Sequence, residues 1–172
     1  LAALIILYNG GAKRIPVVGA LTMGLCRGMN LMLGALALGA PASIGQWLPV
    51  LLAAVGLTLY VAAFSALAAR EMATEKPQGS LRWLPFAALL IVLPAVLVAS
   101  TVQHPPQTLL PVAYVFLMVM TLMRAWLLGG VMYQLQPVPV TIGGHIRNLL
   151  MVQACFCLAA GLRGLLPAPF FV

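Results

Sequence analysis

The chain has 172 residues, of which 63% are hydrophobic and 6% charged, against about 25% charged in soluble domains. Nine basic and two acidic side chains give a net charge of +7, but the cations lie scattered between apolar blocks and form no continuous basic face. This composition excludes a soluble globular domain and a nucleic-acid-binding surface, and it predicts an all-α integral membrane protein, a multi-helix transmembrane bundle forming one domain over residues 1–172.

In chain order, Leu1 to Tyr8 is apolar but would reach only about 12 Å as a helix, against a hydrocarbon core of about 30 Å. It reads as the end of a truncated span. Complete spans are predicted near 15–39, 46–69, 83–101, 109–131 and 146–163. Prolines mark several helix starts, at Pro16, Pro49, Pro85 and Pro111, where the missing N–H costs little. Pro94 falls mid-span and predicts a kink. Gly19, Gly24, Gly28 and Gly34 would let neighbouring backbones approach, through helix packing or a dimer motif.

If the spans alternate, the segments 9–14, 70–82 and 124–147 share one side. They carry Lys13, Arg14, Arg70, Lys76, Arg82, Arg124 and Arg147, whereas the other side carries Arg163. The positive-inside rule makes the first side cytoplasmic, in a bacterial inner membrane with several passes.

Three groups of residues stand out. Glu71 and Glu75, the two acids of the chain, lie four apart at the end of a span. On a helix they would share a face, a repulsive arrangement unless a divalent cation lies between them. The spacing also fits a solvated loop with Arg70 and Lys76 as partners. Arg27 and Asn30 lie one turn apart, with Arg27 about 16 Å along its helix, where a charge is expected to face a polar cavity or a partner, or to bond backbone carbonyls. Tyr8-Asn9-Gly10-Gly11-Ala12-Lys13-Arg14 forms a short turn whose hydroxyl and cations suit a phosphate oxygen, or equally an interfacial anchor.

Cys26, Cys155 and Cys157 lie in apolar spans, and the last two, two residues apart on a helix, point in different directions, which disfavours a disulfide or a metal site. His104 and His145 read as a loop residue and an interface residue opening the last span.

Tyr8 to Pro16 followed by Gly24-Leu25-Cys26-Arg27-Gly28-Met29-Asn30-Leu31 resembles the fourth and fifth helices of the UbiA superfamily of intramembrane prenyltransferases, nearest its EboC-like branch. Glu71 and Glu75, with Gly79 shortly after, fall where that family carries its second aspartate-rich motif, with Glu in place of Asp at both positions. Gly144-His145-Ile146-Arg147-Asn148 resembles the opening of its last helix.

The resemblance covers nearly all of the chain and places it in the C-terminal two-thirds of a nine-helix enzyme, so that the chain alone, without the first acidic motif, is expected to be inactive. It implies transfer of an isoprenoid group from a prenyl diphosphate to a small acceptor, aromatic or lipid-like, within the membrane. Glu71 and Glu75 would be magnesium ligands, Tyr8 and Lys13 diphosphate contacts, and Arg27 and Asn30 residues lining the cavity. The alternative is a non-catalytic lipid-binding or transport protein of the same bundle architecture.

Overall fold

The computed structural model describes residues 1–37, 44–69, 79–101 and 109–162. The architecture is all-α: α1 (Ala2–Gly10), α2 (Pro16–Ala37), α3 (Ile44–Ala68), α4 (Leu84–Thr101), α5 (Leu110–Gly129), α6 (Val131–Leu135) and α7 (Val138–Leu162). Single 3-10 turns at Ala12–Arg14 and Ser80–Trp83 precede α2 and α4. Five of these helices are long and apolar enough to cross a membrane, the pattern of a multi-pass membrane protein. Large side chains such as Ile6, Val17, Ile91 and Leu150 are exposed, as a lipid-facing surface requires.

The helix starts follow their prolines, with one exception. Pro16, Pro85 and Pro111 occupy the first or second helical position, where no intrahelical N–H is lost. Pro49 instead lies inside α3, which begins at Ile44. Pro94 is likewise internal, and α4 continues through it to Thr101. One residue earlier, the Leu93 carbonyl accepts a 2.8 Å hydrogen bond from the Tyr114 hydroxyl, which ties α5 to α4.

The last span differs from its sequence-based bounds. It begins at Val138, eight residues before the expected 146, so Arg147 is helical, while Arg124 lies within α5. Neither is in a loop. Gly144, expected at the opening of the last helix, lies inside α7 and is a contact point: a Cβ there would collide with the Leu128 side chain of α5. The signal for the earlier start is Pro137-Val138-Pro139. The Pro137 carbonyl accepts the first amides of α7, at Val140 and Thr141, and Pro139 falls where no donor is needed.

Helix α3 is central and packs against α2, α4 and α7. Its antiparallel contact with α2 rests on small residues four apart. Gly24 and Gly28 meet Ala54, Thr58 and Ala62, and a Cβ on Gly28 would come within 2.7 Å of the Ala54 carbonyl. With lipid on the outside as apolar as the interface, such backbone approach is what drives association. Gly34, on the same helix, has no atom within 4 Å of its Cβ position. Gly34→Ala is therefore expected to be neutral or to stabilise by up to about 1 kcal/mol through helix propensity, measured as thermal unfolding in detergent.

The core under these helices joins Leu57, Tyr60 and Phe64 of α3, Leu89 and Leu93 of α4, Tyr114 of α5 and Val152 and Phe156 of α7. A smaller cluster, Leu67, Tyr133, Val138 and Ile142, closes the end of the bundle where α3 stops and α7 starts. At that end Trp83 packs near Phe86 and Trp126, with ring centroids 6.3 and 6.5 Å apart, and the Arg82 guanidinium lies 5.5 Å from the Trp83 centroid. Trp and Arg at one end form an interfacial girdle. We call this the basic end.

Candidate functional site: a cleft at the basic end and a buried polar layer

At the basic end a cleft of about 350 Å³ opens between α1, α2, α3 and α7. Its walls are Ala20 and Met23 of α2, Phe64 and Ser65 of α3, and Ile142 and Ile146 of α7, with Tyr8 of α1 at its edge. Tyr8 is half-buried, and the chain leaves α1 through Gly11, whose φ of 149° a side chain would strain. Hydrogen bonds from the Arg14 amide to the Gly11 carbonyl and from the Ile15 amide to the Ala12 carbonyl close the turn that carries Lys13. Tyr8 thus stands beside an apolar cleft, five residues before the first cation, Lys13.

Behind the Phe64 wall lies a polar layer. The Phe64 and His145 rings stack with centroids 6.2 Å apart and planes 4° from parallel. The Tyr60 hydroxyl donates to the His145 carbonyl at 3.1 Å and lies 3.2 Å from its Nδ1. Asn148 Nδ2 lies 3.3 Å from both the Tyr60 oxygen and the Thr121 carbonyl, to which it donates. Tyr60, Thr121, His145 and Asn148 are all fully buried. Counting 1.5 Å per residue from the ends of α3, α5 and α7 puts them about 10 to 15 Å inside the basic end. One layer therefore joins three helices within the apolar bundle.

Its hydrogen bonding is incomplete. His145 Nε2, Asn148 Oδ1 and Thr141 Oγ1 are buried without a partner. Each such group costs about 1–3 kcal/mol when nothing meets it. The other described helical threonines, Thr22, Thr58, Thr101 and Thr121, donate to the carbonyl four residues back, so Thr141 departs from the habit of the fold. Arg124 donates through Nη1 to Met151 Sδ at 3.9 Å, one turn from Asn148.

The sequence-predicted residues fall in three places. Tyr8 lines the cleft and Lys13 follows it in the turn. Arg27 and Asn30 are exposed on α2 and do not line this cleft. Glu71 and Glu75 lie outside the described residues, as do Arg70, Lys76, His104 and Arg163. Among the described residues there is no carboxylate side chain and no cluster of three His, Cys or acidic groups. Cys155 is buried and Cys157 exposed on α7, and both are free.

His145 is a correction: the expected interface residue is one of the most buried polar groups in the chain. The missed signal was spacing. Thr141, His145 and Asn148 recur at i, i+4 and i+7, one face of a helix, but only if that helix starts at 138. The fold and site define a multi-pass helical bundle with an apolar cleft at its basic end. Comparison with family models, curated proteins and solved structures finds no match to this chain.

Proposed function

We propose that this chain is part of a UbiA-type intramembrane prenyltransferase, which moves an isoprenoid group from a prenyl diphosphate to a small aromatic or lipid-like acceptor. The observation that carries this reading is the cleft at the basic end, apolar along Met23, Phe64, Ile142 and Ile146 and bordered by Tyr8. The donor's diphosphate belongs at the mouth, where the Tyr8 hydroxyl supplies a hydrogen bond to its oxygens, and Lys13, in the turn that follows, is the cation that the family resemblance assigns to it. The isoprenoid chain belongs against the apolar walls, which keep water from the allylic cation formed when the carbon–oxygen bond breaks.

In this reading Glu71 and Glu75 are the magnesium ligands that the family resemblance assigns, and the basic end is cytoplasmic. The exposed pair Arg27 and Asn30 lies among exposed Leu25 and Met29. A charge on an apolar outer face is costly, so these two belong to a cavity completed by helices that precede this chain in the family.

The test is turnover of prenyl diphosphates by the full-length parent protein in bilayers, with magnesium present and then chelated. Turnover is expected to need magnesium and to be lost in a Glu71→Gln, Glu75→Gln double variant that keeps its thermal midpoint. Tyr8→Phe is expected to weaken diphosphate binding about 10-fold, one charge-assisted hydrogen bond. A wild-type protein that binds no prenyl diphosphate with any divalent metal would instead place the chain among lipid-binding or transport proteins.

A further inference from the structure

We propose that the Thr141–His145–Asn148 face of α7 is an internal proton site, a short file of water with His145 as the group that takes up and releases the proton. Five described side-chain atoms are buried without a hydrogen-bond partner, and three of them, Thr141 Oγ1, His145 Nε2 and Asn148 Oδ1, lie on this one face. They span about 10 Å of helix, from the first turn at the basic end to the polar layer. Buried waters bond about three such groups each, so a short file of them would partner all three atoms.

The surroundings hold the imidazole for this task. The Tyr60 hydroxyl has one proton to give, and the His145 carbonyl at 3.1 Å competes for it with Nδ1 at 3.2 Å. When the carbonyl takes it, Nδ1–H donates to the tyrosine oxygen and Nε2 carries the free lone pair. Tyr60 is thus a positioning residue, fixed in turn by Asn148 Nδ2. Other titratable or charged groups on packed elements include Arg124 and Tyr114 of α5, Tyr133 of α6, packed with Ile142, and Arg147 and Cys155 on α7 itself, with the Arg147 Nε donating to the Gly143 carbonyl. From α4 the core receives apolar side chains, Leu93 and Val96.

The use of such a site rests on the prenyl-transfer reading. When the acceptor's electron pair bonds the prenyl carbon, the carbon–oxygen pair leaves with diphosphate, and the acceptor must shed a proton inside an apolar cleft. Phe64, which lines that cleft, lies parallel to the His145 ring. The proton passes through water to Nε2 and then past Thr141 to the basic end, so His145 serves as carrier without touching the substrate.

Two measurements on the full-length protein in bilayers decide this. The first uses a His104→Gln variant labelled with ¹⁵N-histidine, in which the signal of His145 is followed by solid-state NMR. Polarisation transfer from water to the ring, with exchange of its ring protons, supports the site. A ring that receives no transfer between about pH 5 and pH 9 overturns it, whatever the protein's activity. The second compares prenyl diphosphate binding and turnover in His145→Gln. Unchanged binding with turnover reduced about 100-fold, and loss of the acidic limb of the pH profile, supports the carrier role. Wild-type turnover and pH profile in a folded His145→Gln protein overturn that role. If the wild type neither binds nor turns over prenyl diphosphates, the functional reading fails while the NMR result still decides whether the site is hydrated.

Discussion

Gly24→Leu is expected to destabilise the bundle by about 3 kcal/mol or more, at the upper end of what overpacking costs. The reason is positional. The Cβ position of Gly24 is already in contact with the Thr58 carbonyl and lies 3.2 Å from the Ala62 amide nitrogen and Cβ, so any side chain must push backbone against backbone. A flexible neighbour could rotate aside; a helix carbonyl cannot. Even Gly24→Ala is expected to destabilise, by about 1–2 kcal/mol, although alanine is the better helix former. Gly34→Ala, on the same helix with open space at its Cβ, is the control. Thermal unfolding in one detergent for the three variants checks this. Equal midpoints for Gly24→Leu and wild type would mean that α2 does not pack on α3 through these residues.

Much of the fold was legible in the sequence because the signal was length and apolarity. The spans expected near 83–101 and 109–131 match α4 and α5 closely, and 15–39 and 46–69 match α2 and α3 within a few residues at each described end. The start of the last helix is misplaced at two glycines, normally a breaking signal, which both lie inside α7 and of which Gly144 serves helix contact. That error hid the buried layer. With α7 started at 146, His145 had no helical neighbours and Thr141 no face. The acidic pair was legible as a motif through family resemblance, but its geometry lies outside the described residues. Arg27 illustrates another limit: depth along a helix follows from counting residues, whereas the direction of the side chain depends on which neighbours the face meets. Gly24 and Gly28 take the α3 side, which leaves Arg27 exposed.

Asn148 offers the sharpest test of whether the polar layer holds the bundle together. Asn148→Ala is expected to cost about 2–3 kcal/mol, for two separable reasons. It removes the hydrogen bonds to the Tyr60 hydroxyl and the Thr121 carbonyl, and bonds between membrane helices average about 0.6 kcal/mol and reach about 1.7. It also opens space beside side chains that have no freedom to close it, since Tyr60, Thr121 and Val152 are fully buried. Asn148→Leu fills that space and is expected to recover about half of the loss. A double-mutant cycle with Tyr60→Phe isolates the hydrogen bond, with a coupling of about 0.6–1.7 kcal/mol expected. No coupling would mean that Tyr60 and Asn148 do not bond across the α3–α7 contact. The same variants separate architecture from proton movement. If Asn148→Leu keeps the bundle folded but dries the His145 ring, the unpartnered Oδ1 holds water. If the ring stays wet, the water is held by His145 and Thr141 alone.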